Sequence, residues 1–379
     1  MIPDTAEIGF DIPARPGDAL SDVMTPALVI DLDAFDRNIA RMRAFVTGHG
    51  LRLRAHAKTH KSADIARIQM QRGGACGICC QKVSEAEALV RAGITDVLVS
   101  NEIHGPRRAA RLAALAGRAR VQVCVDDAGQ VATLSHAAEA AGTRIGVLVE
   151  IDVGAGRCGL PPGPAAVELA RRIDEAPGLS FNGLQAYQGA LQHIRDPQAR
   201  AEAAHAAARA TALTRTALTE AGFACETIGG AGTGSFTLDA GLGEINELQC
   251  GSYVFMDADY DRVTGADGSR PGGMENALFV MAEVMSRPGP DRAICDAGLK
   301  ALSVDSGLPR IDRDGLRYTG ASDEHGTISD PRGLLTPGDR VMLVPGHCDP
   351  TCNLYDWYVG LRGGVVETLW PVTARGKLY

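Results

Sequence analysis

Lys58 lies in the run Arg54-Ala55-His56-Ala57-Lys58-Thr59-His60-Lys61, and an amine in that company is a candidate nucleophile toward a carbonyl. In extended chain, Arg54, His56 and Lys58 share one face. A lysine held among other cations and partly desolvated favours its neutral amine, the form a Schiff base requires. The plainer alternative is a lysine that snorkels or pairs with a carboxylate. His347 and Asp349 form a second constellation. At i and i+2 of an extended chain, the imidazole and the carboxylate face the same side and Cys348 turns away. One nitrogen, one hard oxygen and several waters suit Mn²⁺ or Mg²⁺ better than structural zinc, and a loop hydrogen bond is the alternative. A third feature is Gly229-Gly230-Ala231-Gly232-Thr233-Gly234-Ser235, which exposes backbone N–H groups and two hydroxyls ahead of a possible short helix. Such a loop can cradle a phosphate or serve as a flexible turn.

Positioning these groups requires a scaffold. Strand-like runs occur at Leu51 to Lys58, Gly77 to Gln81, Asp96 to Ser100, Val121 to Asp126, Ile145 to Asp152, Gly183 to Gln188, Cys225 to Gly230 and Glu247 to Tyr253. Segments with helical character separate them, and eight strands alternating with helices predict a (β/α)₈ TIM barrel. The earlier strand Ala27 to Leu32 must then fall outside the barrel. After about residue 270, short strands among Gly, Pro and Asp turns read as a second, β-rich domain that can recruit that early strand. The expected division is an arm over 1–25, a barrel domain over 26–265 and a C-terminal β domain over 266–379 that carries His347 and Asp349.

Composition narrows the class. The chain has 379 residues, 45% hydrophobic and 22% charged, which argues against disorder. No apolar run reaches bilayer length, and Met1-Ile2-Pro3-Asp4-Thr5 lacks the charged start of an export signal, so a cytoplasmic protein is expected. A net charge of −8 argues against nucleic acid as the main partner. Ten cysteines are expected as reduced thiols, several of them small hydrophobes in strands. Cys76-Gly77-Ile78-Cys79-Cys80 lacks the second pair that zinc would need.

In a barrel the active site lies at the C-terminal strand ends. Those ends are Lys58, Gln81, Asn101, Asp126, the loop 152–159, Tyr187-Gln188, the glycine loop 229–235 and Gly251-Ser252-Tyr253. The last two follow the seventh and eighth strands, where barrel phosphate sites recur. A reactive lysine across the mouth from a phosphate cradle suggests pyridoxal phosphate.

Several motifs carry a resemblance over essentially the whole chain: Thr25-Pro26-Ala27-Leu28-Val29, His56-Ala57-Lys58-Thr59-His60-Lys61, Gly154-Ala155-Gly156-Arg157-Cys158-Gly159, the glycine loop 229–235, Asp296-Ala297-Gly298-Leu299-Lys300, Asp323-Glu324-His325-Gly326 and Pro345-Gly346-His347-Cys348-Asp349. The sequence resembles the fold-type III pyridoxal enzymes, within them the D-threonine aldolase and 3-hydroxy-D-aspartate aldolase group. Phe255 to Tyr260 and His347 to Asn353 look closer to the hydroxyaspartate enzymes. The resemblance implies that Lys58 carries the cofactor, Arg157 faces its pyridine nitrogen, Tyr187 lies near the ring and Gln81 near its oxygen. It implies phosphate contacts among Gly230, Gly232, Thr233, Gly234, Gly251, Ser252 and Tyr253, and a metal on His347 and Asp349. His193 is the candidate base. The activity so implied is retro-aldol cleavage of a 3-hydroxy-D-amino acid, with glyoxylate or acetaldehyde as the aldehyde, by a homodimer. β-Elimination, racemisation, non-catalytic cofactor binding and a metal-dependent hydrolase on the same barrel are the competing activities.

Overall fold

Parallel strands buried on both faces read as near-continuous apolar runs, and Ile145–Glu150, buried at every position, is apolar up to its last residue, Glu150. The computed structural model describes residues 5–379, so the first four residues of the expected arm lie outside the described residues. The chain begins with β1 (Ala27–Asp31) and α1 (Leu32–Gly48), entered through Asp31, whose side chain accepts the N–H groups of Asp33 and Ala34. Then β2 (Arg52–His56), α2 (Ala63–Gln71), β3 (Gly77–Cys80), α3 (Val83–Arg91), β4 (Asp96–Glu102), α4 (Pro106–Ala116), β5 (Arg120–Val125) and α5 (Ala128–Ala141) alternate. They are followed by β6 (Ile145–Glu150), α6 (Pro164–Glu175), β7 (Leu179–Gln185), α7 (Pro197–Glu220), β8 (Thr227–Gly230), α8 (Phe236–Leu242) and β9 (Glu247–Leu248). Strands β2 to β9 close into a barrel, with β9 pairing β2 through Arg52↔Glu247 and Leu53↔Leu248.

Most strands stop short of their expected C-terminal ends, although β4 runs on to Glu102 and β8 ends at Gly230 as expected. Lys58 stands in a turn beyond β2, and Ser252–Val254 is a 3₁₀ turn rather than strand. Closure needs only the lower rungs, so backbone above them is free to face a ligand. Inside the barrel, Cys79, Leu98, Cys124 and Leu148 form a buried apolar cluster, so two of the cysteines do act as small hydrophobes. One layer nearer the N-terminal strand ends, Arg54 is 3% exposed and bonded to Glu247 and Asp96. The expected row of three cations around Lys58 therefore does not exist. Arg54 is neutralised inside the barrel, by partners from strands far away in sequence.

The remaining elements are β10 (Leu278–Gly289), β11 (Arg292–Cys295), β12 (Arg310–Ile311), β13 (Arg317–Ala321), β14 (Gly326–Ser329), β15 (Arg340–Val344), α9 (Cys348–Cys352), β16 (Trp357–Arg362) and β17 (Val365–Pro371). They build a sheet of order β13-β14-β11-β10-β1-β16-β17, with β15 beside β10. Strand β1 lies outside the barrel, between β10 (Ala27↔Met281) and β16 (Leu28↔Tyr358). Two buried contacts fix this sheet over the barrel mouth. The Cys348 N–H donates to Asp257 Oδ2 (3.0 Å), and the Tyr358 hydroxyl donates to the carbonyl of His60 (2.7 Å), two residues past Lys58. Gly346, just before α9, admits no side chain, because a Cβ there would stand 2.0 Å from the carbonyl oxygen of Gly307.

Candidate active site

A cavity of about 210 Å³ opens at the C-terminal end of the barrel. Lys58, Gln81, Arg157, Tyr187 and His193 line it, together with Gly232, Thr233, Gly251 and Ser252 from the two glycine segments and His347 and Asp349 from the C-terminal sheet. Residues separated by almost three hundred positions thus face one volume. Lys58 Nζ is 3.4 Å from Asp349 Oδ2. That carboxylate is the main reason the Lys58 amine is more basic than usual, the opposite of the depression expected from a row of cations. Burial pushes His56 well below the ordinary imidazole value, so it is neutral; its Nε2 is 3.2 Å from Ser100 Oγ, beside Gln81.

Arg157 hangs from the loop after β6. Its Nη2 is 3.4 Å from Glu150 Oε1, and its guanidinium carbon is 5.5 Å from the centre of the Tyr187 ring, a cation–π distance. Asp152 shapes the loop by accepting the N–H groups of Gly154 (2.9 Å) and Gly156 (3.1 Å), and Asp126 anchors its far end through the Gly159 N–H (3.0 Å). Asp126 and Asn101, two of the expected strand ends, hold neighbouring backbone and do not line the cavity.

The phosphate cradle is narrower than expected. Gly230 ends β8 and its carbonyl accepts from Gln249; the Gly232 N–H donates to Ser235 Oγ (3.2 Å), and the Gly234 N–H to Gln192 Oε1 (2.9 Å). Tyr253 sends its side chain into the core, fully buried, where its hydroxyl accepts from Gln69 Nε2 at 3.3 Å. What remains free fits a phosphate. Thr233 Oγ1 is buried with no hydrogen-bond partner among the described residues. The N–H groups of Thr233, Gly251 and Ser252 likewise donate to no other group there. An unpaired buried hydroxyl costs about 1–3 kcal/mol, which a ligand with acceptor oxygens removes. Glycine is needed at 251 because a Cβ would stand 2.8 Å from the carbonyl oxygen of His56, and a Cβ at 232 would displace the Gln192 side chain that accepts from the Gly234 N–H.

His347 is extended, but the chain turns into α9 at Cys348, so Asp349 lies in the first turn of a helix. The i, i+2 strand geometry is therefore not what brings the pair to the cavity; the helical turn does. His347 Nδ1 bonds Asp305 Oδ2 at 2.8 Å, which leaves Nε2 free, the arrangement in which a carboxylate orients a metal-ligating imidazole. Burial opposes ionisation of Asp349, but Lys58 and His347 outweigh it and hold the carboxyl at about 2. A neutralisable nitrogen and a firmly ionised oxygen suit a hard divalent cation whose other ligands are waters or substrate oxygens. Also in the lining, His193 has its Nδ1 2.7 Å from Asp259 Oδ2. Asp259 also takes Arg195 and Arg262; despite burial, these hydrogen bonds keep it ionised and acceptor-only, so Nδ1 carries the proton and Nε2 is the basic nitrogen.

Asp259 and Asp305 were not singled out from the sequence. Neither has a local signal, since each acts on a histidine more than forty positions away in the chain. Ser100, Gln185, Gln249 and Tyr260 also line the cavity unforeseen.

Two family descriptions match in succession: the alanine racemase N-terminal domain over residues 30–259 and a putative serine dehydratase domain over residues 277–361. The chain is 52% identical to 3-hydroxy-D-aspartate aldolase of Paracoccus denitrificans (strain Pd 1222), over 98% of this chain and 97% of that one. It is 49% identical to D-threonine aldolase of Arthrobacter sp., over 97% of each. The crystal structure of D-threonine aldolase from Filomicrobium marinum superposes with a TM-score of 0.94 at 51% identity, over 97% of this chain and 100% of that one. With the lysine, the arginine and the free phosphate donors converging at the mouth of such a barrel, this chain belongs to the D-threonine aldolase and 3-hydroxy-D-aspartate aldolase family of fold-type III pyridoxal phosphate enzymes.

Proposed function

We propose that this protein is an aldolase that cleaves 3-hydroxy-D-amino acids, above all 3-hydroxy-D-aspartate to glycine and glyoxylate, with Lys58 bearing pyridoxal phosphate and His347 and Asp349 holding Mn²⁺ or Mg²⁺. The observation that carries this reading is the convergence of Lys58, His193 and the His347–Asp349 pair on one small cavity. Pyridoxal phosphate, when bound, supplies an electron sink for the pair of electrons that Cα–Cβ scission leaves on Cα. A divalent cation supplies Lewis acidity toward a hydroxyl.

The residues do the rest. Thr233, Gly251 and Ser252 offer an OH and three N–H groups to the phosphate. Arg157, stacked on Tyr187, presents a charge that stays fixed at any physiological pH. His193 Nε2, held by Asp259, takes the proton of the β-hydroxyl as general base. Lys58 keeps its proton while Asp349 faces it, and a cation held by His347 and Asp349 would offset the carboxylate charge that makes the amine more basic. A carboxylate side chain is favoured over methyl because, apart from Asp349, which pairs with Lys58, the cavity is lined by cations, amides and hydroxyls, without an aliphatic side chain larger than a threonine methyl among the described residues. The family resemblance supports a homodimer in the cytoplasm. Among the described residues no helix is long and apolar enough to cross a membrane.

The test is to incubate protein, pyridoxal phosphate and Mn²⁺ or Mg²⁺ with 3-hydroxy-D-aspartate and with D-threonine, and to assay glycine, aldehyde and ammonia together. Glycine stoichiometric with glyoxylate, lost on chelation, is the expected result. Preference for D-threonine would reassign the substrate, and ammonia with an oxo acid would replace the aldolase by a dehydratase.

A further inference from the structure

Behind Arg157 the barrel holds an arrangement that the reaction above does not use. Glu150 ends β6 and Glu102 ends β4. Glu150 is 3% exposed; one oxygen meets Arg157, and the other, Oε2, is buried without a partner among the described residues. Glu102 Oε1 is also buried without a partner among the described residues, and the two carboxyls are within hydrogen-bonding reach of each other. Two acceptor-only carboxylates cannot satisfy each other, whereas one proton between them satisfies both. Asp126 and Cys158 have ligand atoms within 4.8 Å of Glu102, which raises the question of a cation instead. Asp126 has already committed its oxygens to Gly159 N–H and Gln130 Nε2, so a proton closes the arrangement with fewer changes.

We infer that Glu150 and Glu102 hold one proton between them and that Glu150 is thereby a positioning residue, fixing the Arg157 guanidinium against the cavity wall. One negative charge then faces one positive charge. Burial, and next the Glu102 charge, push the Glu150 carboxyl up to about 8, against the opposing pull of Arg157. The other titratable groups facing the pair are the thiols of Cys124 and Cys158, both shifted further from ionisation, and Asp126. Above pH 8 the pair gains a second negative charge and the hold on Arg157 changes.

The test is a pH-dependent infrared difference spectrum of the purified protein, compared with Glu150→Gln and Glu102→Gln. A protonated-carboxyl carbonyl band should be present at pH 7, vanish as pH rises through about 8, and be missing from both variants. Buried Asp239 and Asp257 titrate lower, at about 6, and remain in the variants, so they serve as internal references. In the cofactor-loaded protein, the visible absorbance should lose its pH dependence near 8 in Glu150→Gln. Glu150→Gln should keep turnover within a few fold and Glu150→Ala should not, because only glutamine still accepts from Arg157. A wild-type spectrum with no carboxyl band titrating near 8, or the same band in Glu150→Gln, would overturn the inference. The second arm rests on the proposed cofactor site, whereas the infrared arm does not; a carboxyl band without aldol cleavage would sink the function and leave the pair standing.

Discussion

Asp349 lines the cavity and Glu150 lies behind Arg157, each largely buried and each 3.4 Å from a cation, yet they are driven in opposite directions. Asp349 faces Lys58 and His347, and their positive charge overrides burial. Glu150 faces Arg157 but also Glu102, and the second carboxyl together with burial prevails. The sign of the next neighbour, rather than depth, decides which carboxyl is an anion at neutral pH. The carboxyl that lines the cavity is thereby prepared to hold a cation, and the one behind Arg157 to hold a proton.

The comparison can be broken from either side. The largest effect is expected from Asp349→Asn, which removes the anion: turnover should fall by about 10²-fold or more, with divalent-metal affinity by titration falling alongside. His193→Ala should lower kcat by about 10²-fold through loss of the base, with a smaller effect from Asp259→Asn, which removes the group that fixes its tautomer. Asp305→Asn should weaken metal binding by about 10-fold while leaving cofactor absorbance unchanged.

The smallest effect, on stability, sharpens the contrast through its sign. A carboxyl raised to about 8 in the fold favours the native state fully below its unfolded value near 4.5 and loses that contribution as pH rises through 8. A carboxyl lowered to about 2 contributes above its unfolded value near 3.8 and loses that contribution as pH falls through 2. Denaturant midpoints between pH 5 and 9 should therefore decline more steeply in wild type than in Glu150→Gln.

How far the sequence foretold this site depends on where each partner comes from. Lys58, Gln81, Arg157 and Tyr187 were legible because each follows a barrel strand, and short apolar runs alternating with helical segments identify those strands without knowledge of their neighbours. The charge state of Lys58 was not legible, since Arg54 is neutralised by Asp96 and Glu247, 42 and 193 residues on, and Asp349 arrives from another sheet. The glycine loop announced a cradle, but which N–H groups stay free depends on Gln192 and Ser235. Tyr253 looked like a cofactor contact because the strand was extended too far; the 3₁₀ turn sends its ring into the core. The place of β1 in the C-terminal sheet followed from counting eight barrel strands without it.

The most direct test of the site is reduction of the cofactor-loaded protein with borohydride, followed by peptide mapping. A phosphopyridoxyl group on Lys58, displaced when 3-hydroxy-D-aspartate is added before reduction, is the predicted result. Label on another lysine, or none despite bound cofactor, would contradict the assignment of Lys58 as the residue around which the cavity works.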